Sequence, residues 1–196
     1  VLSTSAFLVQ PHIDLPGMGG GGLVVTDGDP ALAEALAIEI ADMYWSLRFD
    51  LEPRIWSPAD AIADAARYSD GTVLLLETSD CAGGGACGDS AYALAALVKA
   101  DLPVRSLVPI VDPEAAALCH AHMPGDTVHL TLGHKIDPRW GQPLPVTARI
   151  QVLTNGRFVY SGGIWEGLPG EMGPTAWLRA GNVDILVTSF ATYDWA

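Results

Sequence analysis

Residues 72–111 read TVLLLETSDCAGGGACGDSAYALAALVKADLPVRSLVPIV, and this stretch decides the fold class. The apolar run within Thr72–Thr78 predicts a strand that is buried on both faces of a sheet. Ser79–Gly88 forms a glycine loop, Asp89 to about Ala100 predicts a helix, and Ser106–Val111 predicts a second buried strand. Strands and helices in alternation are typical of α/β folds.

The same alternation precedes this stretch. Leu23–Thr26 predicts a strand. Asp29-Pro30 begins a helix that ends near Arg48, because Asp is a good N-cap residue and proline is tolerated at the first helical position. Ser57 caps a second helix that reaches about Tyr68. The first two thirds of the chain therefore alternate strand and helix.

The pattern changes after a further helix, which begins at Asp112-Pro113 and ends before Pro124. From Gly125 onward, short β-rich segments are separated by Gly, Pro or Asn: Thr127–Leu132, Val146–Leu153, Arg157–Ser161, Thr175–Arg179 and Val183–Thr188. Asn155-Gly156 is a strong hairpin signal. The sequence predicts an α/β fold whose mixed sheet ends in an antiparallel, β-rich final third. Residues 1–22 are expected to be an irregular lead-in or the end of a preceding domain, and 23–196 one α/β domain, with a subdomain boundary near residue 125 left open.

Composition and charge narrow the function classes. Hydrophobic residues make up 49% of the 196 residues and charged residues 17%, which excludes a disordered chain. Ten basic against 23 acidic residues give a formal charge of −13, so neither nucleic acid nor an anionic membrane is an expected partner. Three cysteines, an odd number, suit a reducing compartment, and we expect a cytoplasmic location. The chain begins at Val1 without a signal-peptide pattern and is expected to be a piece of a larger protein.

The glycine loop is the strongest candidate site, and three interpretations of it compete. A phosphate loop is disfavoured, because Asp89 occupies the position where that motif needs lysine. Gly83-x-Gly85-x-x-Gly88 matches a dinucleotide fingerprint. In that fingerprint the tight glycine turn directly follows its strand, whereas here further residues separate the predicted strand from Gly83. The third interpretation is a substrate loop, in which Asp80 and Asp89 attract an amine, an amide N–H or a metal-bound water. Its structural alternative is that Asp89 only caps its helix and Asp80 only caps the turn.

The sequence predicts no metal site within the chain. Zinc needs three or four converging ligands. His120 and His122 point about 200° apart on a helix that turns by roughly 100° per residue. His129 and His134 are expected on opposite faces of a strand end. Cys87, near a helix N-terminus, could become nucleophilic, but no partner histidine is identifiable and a small buried residue is the favoured interpretation.

At the loop, SDCAGGGACGDS (79–90) resembles the D-x-P-G-G-G-x-x-G-D-[GS]-T element of the microcystinase C (MlrC)-like family, the M81 metallopeptidases. Three further segments are similar to that family: LVVTDGDPALAEALAIEIA (23–41), VPIVDPEAAALCHAHMPGDTVHLTLGHKID (108–137) and GGIWEGLPGEMGPTAWLRAGNVDILVTS (162–189). The resemblance covers nearly the whole chain. It implies the C-terminal domain of a zinc-dependent hydrolase that cleaves peptide-like amide bonds.

In that family the zinc ligands belong to the N-terminal domain, so the resemblance implies a zinc cofactor held outside this chain. The implied partners are that N-terminal metal-binding domain and a small peptide-like substrate, with a homo-oligomer left open. The expected substrate-binding residues are Asp80, Gly83, Gly84, Gly85, Gly88, Asp89, Ser90, His134 and Trp165. Arg139 is a further candidate at the rim, and Trp140 and Trp177 are candidates for a binding wall, although Trp177 is expected in the core. No catalytic residue is assigned.

The chain also departs from the family pattern. His134 replaces the second glycine of the family's G-G-K, Cys81 and Cys87 replace expected prolines, and His12 stands where a tryptophan is expected. These changes bear on substrate contacts more than on the domain itself. The alternative function, from another class, is a nonenzymatic ligand-binding or interaction module, with a dinucleotide-binding domain less favoured.

Overall fold

The structure is a computed structural model that describes residues 1–9 and 15–192, and the chain divides into two compact units, Val1–Ile55 and Trp56–Ala196. His12 lies outside the described residues. No helix in the described part of the chain is both long enough and apolar enough to cross a bilayer.

In its described residues, the first unit contains two paired strands and one helix. Strands β1 (Ser3–Phe7) and β2 (Gly21–Val25) pair antiparallel, and helix α1 (Pro30–Ser46) follows. The Asp29 carboxylate accepts a hydrogen bond from Leu32 N at 3.0 Å, as the sequence predicts for a cap. A Cβ atom at Gly22 would lie 2.5 Å from the Ala37 carbonyl oxygen, so glycine lets α1 lie close to β2. Ser3–Phe7 form a strand, whereas the sequence predicts that residues 1–22 are an irregular lead-in or the end of a preceding domain.

The second unit contains three helices and two sheets among the described residues. The helices are α2 (Pro58–Ala65), α3 (Tyr92–Ala100) and α4 (Pro113–His120). The strands are β3 (Ser106–Val111), β4 (Thr127–Leu132), β5 (Leu144–Thr154), β6 (Arg157–Val159), β7 (Pro169–Glu171), β8 (Thr175–Ala180) and β9 (Val183–Thr188). Five strands form a sheet in the order β3-β9-β8-β5-β4, and β6 pairs with β7 in a separate arm.

This five-stranded sheet is mixed, which confirms the predicted α/β class. Strand β3 runs parallel to β9, and the other three pairings are antiparallel. The parallel pair joins a strand from before residue 125 to the last strand of the chain. The boundary near residue 125 that the sequence leaves open therefore falls inside one sheet, and the observed division of the chain is at Ile55 and Trp56.

One face of the sheet forms the hydrophobic core together with α3 and α4. Alternate strand residues such as Leu130, Ile150 and Ile185 point into it, and Leu94 of α3 and Cys119 of α4 are fully buried against them. Burial raises the pKa of the Cys119 thiol to about 11. This residue behaves as a small core side chain.

Two sequence predictions about this unit are wrong. Thr72–Thr78 is not a buried strand: the described structure assigns it no strand pairing, and all four apolar side chains are exposed. Asn155-Gly156 does not close a hairpin between its neighbours, because β5 pairs with β4 and β8 while β6 pairs with β7. The two residues form a turn that sends the chain out of the sheet, with Gly156 at a φ of +72°.

The opposite face of the sheet holds a buried carboxylate, Asp184 of β9. It accepts hydrogen bonds from Trp177 Nε1 at 2.9 Å and Arg179 Nε at 2.8 Å, and Arg105 donates to its second oxygen. Trp177 is therefore half-buried on this face rather than in the core. Burial alone would raise the pKa of Asp184, but hydrogen bonds from Arg179, Arg105 and Trp177 outweigh it and lower the pKa below its usual 3.8.

A lowered pKa makes Asp184 a source of pH-dependent stability. The ionised carboxylate stabilises the fold above about pH 4, and this contribution is lost as the pH falls through the depressed folded pKa. We expect Asp184→Asn to be less stable than the parent at pH 7, with the difference shrinking below pH 4. Chemical denaturation at pH 7, 4 and 3 measures it. The exposed Asp70→Asn serves as the control, and an unchanged difference across this range would contradict the prediction.

Candidate functional site

The glycine loop is held from within by Asp80. Its Oδ1 accepts a hydrogen bond from Gly88 N at 2.9 Å, and its Oδ2 accepts one from Ser90 N at 2.6 Å. Bonds from backbone N–H groups to a carboxylate are charge-assisted and stronger than neutral ones. Asp80 thus closes the two ends of the loop on each other across residues 81–87.

Asp89 ties the same loop to a second one. Its side chain is buried, and its Oδ2 accepts hydrogen bonds from Ile136 N at 2.7 Å and Asp137 N at 3.1 Å. Its carbonyl oxygen accepts a third from His134 N at 2.7 Å. Helix α3 begins only at Tyr92, and the side chain that accepts a hydrogen bond from Tyr92 N is that of Ser90, at 3.5 Å. The suggestion that Asp89 merely caps its helix is therefore wrong.

His134 completes this connection from the other side. It is buried, and its Nε2 accepts a hydrogen bond from Ala91 N at 3.1 Å, which requires the proton of a neutral ring on Nδ1. Its ring meets Tyr92 edge to face, with centroids 5.3 Å apart. His134 has a φ of +50°, a left-handed conformation that favours glycine. This explains why the MlrC-like pattern has glycine at this position, the second glycine of its G-G-K. In this chain, the buried histidine joins the glycine loop and the 133–137 segment through hydrogen bonds.

Gly133 must be glycine for a similar reason. Its φ is +78°, and a Cβ atom would lie 2.5 Å from the Asp89 carbonyl oxygen and 2.9 Å from Ile110 Cδ1. The N–H of Gly133 donates to the buried Asp112 carboxylate at 3.1 Å. The contact of the two loops is thus a close backbone approach that no side chain could enter.

Gly83, Gly84 and Gly85 themselves remain exposed. Ala82–Gly84 form a 3-10 turn, and Gly85 follows with a φ of +92° and open space where its Cβ would stand. The N–H groups of Gly84, Gly85 and Ala86 donate to carbonyls within the loop. The turn is thus held by hydrogen bonds to the Cys81 and Ala82 carbonyl oxygens, while its three glycines face solvent.

The phosphate and dinucleotide interpretations lose their structural basis. Both need a paired strand, a glycine turn and a helix N-terminus in immediate succession. Here α3 starts only at Tyr92, four residues after Gly88, so no helix N-terminus directly follows the glycine turn.

Charged and aromatic side chains surround the loop. The Asp137 carboxylate binds Arg139 in two places, at 2.7 Å to Nε and 2.6 Å to Nη2, and the guanidinium holds the pKa of Asp137 down at about 2. Arg139 lies 5.7 Å from the Trp140 ring, which is two-thirds exposed. Tyr92 reaches this segment through its hydroxyl, which donates to the Trp140 carbonyl at 2.6 Å. Sequence reasoning did not select Asp137 or Tyr92, whose roles depend on tertiary contacts.

The electrostatic environment of Cys87 opposes a role as nucleophile. Partial burial, followed by the negative charges of Asp89, Asp137 and Asp80, raises the pKa of its thiol. The thiolate is the reactive form of cysteine, and this environment disfavours it. Cys87 is partly buried, whereas the sequence favours a small buried residue at this position.

Trp165 lies in a different part of the unit. It ends a 3-10 turn in the β6–β7 arm, where its ring lies 6.4 Å from that of Tyr160.

Ser90 is partly buried and Gly88 packs beneath the loop, where a Cβ would lie 2.9 Å from Val111 Cγ2. Of the predicted residues, hydrogen bonds connect Asp80, Asp89, Gly88, Ser90 and His134 through the two loops, and Trp165 lies in the β6–β7 arm.

A second charged group lies at the start of α4. The buried Asp112 carboxylate accepts from Ala115 N at 2.9 Å, and Lys135 Nζ lies 3.2 Å from it and 2.9 Å from Glu114. Burial lowers the pKa of Lys135, but hydrogen bonds to Glu114 and Asp112 overcome this effect and raise it. The D-P-E and G-H-K motifs of the sequence meet here, which spacing alone does not reveal.

The described residues do not fit a metal centre. Within residues 1–9 and 15–192, no three or more His, Cys, Asp or Glu side chains converge as ligands. The histidines are dispersed: His120 bonds the Thr175 carbonyl at 3.2 Å, and His129 bonds the Thr147 hydroxyl at 2.9 Å. Asp80 and Asp89 are committed to backbone N–H groups.

Comparison with known proteins identifies the family of this chain. Residues 75–193 match the family model of the MlrC C-terminus, and the chain belongs to this family. It is 26% identical over 182 residues to microcystinase C of Sphingomonas sp., an alignment that covers 89% of this chain and 34% of that protein. It is also similar to a crystal structure from Mesorhizobium sp. BNC1 described as "putative metallopeptidase", with a TM-score of 0.81 and 26% identity, covering 96% of this chain and 38% of the other. The chain thus spans about a third of the length of these relatives.

Replacement of Asp89 tests the connection between the two loops. Asp89→Ala leaves the N–H groups of Ile136 and Asp137 without their acceptor, so we expect a loss of about 2 kcal/mol in unfolding free energy. Asp89→Asn can keep an oxygen at the same position and should lose about half as much. Urea denaturation measures both variants. Equal stability of Asp89→Ala and the parent would show that these hydrogen bonds do not hold the loops.

Metal analysis of the 196-residue chain tests the absence of a ligand set in its described part. After incubation with zinc and gel filtration, we expect clearly less than one zinc per chain, because the candidate ligands are dispersed or engaged. Tight one-to-one zinc binding would contradict this expectation.

Proposed function

We propose that this chain is the C-terminal, substrate-positioning domain of an MlrC-like zinc metallohydrolase that cleaves peptide-like amide bonds. The observation that carries the proposal is the exposed turn Gly83–Gly85 in a loop whose ends are fixed. Asp80 accepts hydrogen bonds from Gly88 N and Ser90 N, and Asp89 bonds the neighbouring segment through Ile136 N. A loop that is held at its ends is suited to binding a ligand, because less conformational entropy is lost when the ligand arrives.

The chemistry of the turn favours a peptide-like substrate. The N–H groups of Gly84, Gly85 and Ala86 bond to the Cys81 and Ala82 oxygens. Within the described residues no backbone hydrogen bond involves the carbonyl oxygens of Gly83–Gly85, and these are the groups that the turn offers to a ligand. An amide N–H or an amine can donate to such oxygens. Asp80 adds negative charge near the loop, which favours a donor and opposes a phosphate, whereas Arg139 balances the charge of Asp137. These contacts would orient the substrate relative to a catalytic centre in another part of the protein.

In this proposal the zinc belongs to the N-terminal domain of the longer protein. The described residues of this chain do not supply a ligand set, so none of them is assigned a role on the metal. Their contribution is to bind and orient the substrate, and the 196-residue chain on its own is expected to be inactive. A cytoplasmic location is part of the proposal, supported by three free cysteines.

Gly85→Ala tests the substrate role directly. The methyl group would enter the open space above the turn, where we propose that substrate lies, and it adds about 1 kcal/mol of backbone strain at φ +92°. Gly181→Ala is the matched control, because Gly181 also has a positive φ, of +58°, and open space at its Cβ, but lies in the β8–β9 turn.

We expect both variants of the full-length protein to lose similar stability, while only Gly85→Ala lowers kcat/KM on a linear peptide substrate, by at least about tenfold. Normal kcat/KM in Gly85→Ala would overturn the substrate role and favour the alternative of a nonenzymatic interaction module. The coding sequence upstream of Val1 separates the same alternatives, because the hydrolase requires a domain there with acidic and histidine metal ligands.

A further inference from the structure

The segment Thr72–Thr78 has the composition of a buried strand but is exposed in this structure. Val73 and Leu75 are 42% and 44% exposed, whereas Leu74 and Leu76 are 68% and 76% exposed. This alternation has the period of two that is typical of a strand, whose successive side chains point to opposite faces. One face of the segment is therefore partly covered, and the other is open.

The backbone of the segment is also available. Within the described residues, no strand pairing and no backbone hydrogen bond involves 72–76. Unpaired N–H and C=O groups flanked by four successive apolar side chains form a template for strand pairing. Such a surface is normally covered, because a contiguous exposed apolar patch marks an interaction site.

We propose that Thr72–Thr78 pairs as a β-strand with a segment of the same polypeptide that lies outside these 196 residues. The inference rests on the proposed function, in which the chain is one domain of a longer protein. The relatives leave ample chain for this purpose, since the alignment covers only 34% of microcystinase C and 38% of the Mesorhizobium protein. Strand addition provides hydrogen bonds from the main chain and specificity from the alternating side chains.

Charge argues against a second copy of this chain as the occupant. Residues 70–80 contain three acids, Asp70, Glu77 and Asp80, and no basic residue. Antiparallel self-pairing centred on Leu75 would place Asp70 of one copy opposite Asp80 of the other, at both ends of the pair. Like charges facing each other across strands are destabilising, and each copy carries a net charge of −13. The expected partner strand is apolar, with neutral or basic flanks.

This pairing would position the site. Thr78 is two residues before Asp80, whose carboxylate closes the glycine loop. A strand fixed to another domain would thus hold the exposed glycines at a defined place relative to that domain. Asp80 joins the ends of the loop, and the proposed strand pairing would set where the loop lies.

Hydrogen–deuterium exchange of the amides of residues 73–76 tests the proposal, compared between the 196-residue chain and the full-length protein. We expect exchange to be at least about 100-fold slower in the full-length protein, because paired strand amides open only with local unfolding. Equal and fast exchange in both would overturn it. Protection in the 196-residue chain that rises with concentration would also overturn it, because the occupant would then be a second copy. A gene without additional coding sequence would do the same.

A pair of variants checks that the open face makes the contact. In the full-length protein, Leu76→Lys should speed exchange of residues 73–76 at least about tenfold, because it places a charge in the proposed interface. Met123→Lys is the control, since Met123 is similarly exposed (72%) but lies after α4. No difference between the variants would contradict the proposed contact. These readouts do not depend on turnover, so the strand pairing and the substrate role of Gly85 can fail independently.

Discussion

The site depends on two carboxylates that accept hydrogen bonds from backbone N–H groups. A run of three glycines loses more conformational entropy on folding than any other tripeptide, so an ordered glycine turn needs strong local constraints. Asp80 supplies them across the loop through Gly88 and Ser90, and Asp89 supplies them between loops through Ile136 and Asp137. Because the acids bind main chain from beneath, the glycines themselves stay exposed.

Asp112 is a third carboxylate that accepts hydrogen bonds from backbone N–H groups, and it is buried. This buried acid begins α4 by accepting from Ala115 N, and it also accepts from Gly133 N and lies beside Lys135. Gly88 is attached to the end of β3 through the hydrogen bond from Val111 N to its carbonyl. The end of β3, the glycine loop and the 133–137 segment are thus held by a connected set of backbone-to-acid hydrogen bonds. We therefore expect a substitution that breaks one of these hydrogen bonds to weaken the others as well.

Much of the fold could be predicted from local pattern. Ser106–Val111, Thr127–Leu132 and Val183–Thr188 are strands with the predicted bounds, since their periodicity and flanking turn residues are local properties. Thr72–Thr78 was mispredicted because an apolar run gives strand propensity but not the neighbouring strand that would pair with it. Asn155-Gly156 was mispredicted because a turn dipeptide does not specify which strands pair on either side of it. The parallel contact of β3 with β9 links residues far apart in the chain, and no local signal encodes it.

For the candidate site, too, some features follow from the sequence and others only from tertiary contacts. The sequence alone determined that a glycine loop bracketed by Asp80 and Asp89 exists, that its neighbours match the MlrC pattern, and that the chain contains no metal-ligand motif, because these properties are written in residue type and spacing. Only the tertiary structure decided that Asp89 binds Ile136 and Asp137, that the buried His134 joins the two loops, and that Trp165 belongs to a separate arm. The physical reason is that a carboxylate or an imidazole accepts whichever N–H group the fold brings within about 3 Å, and that choice depends on contacts between residues more than 40 positions apart.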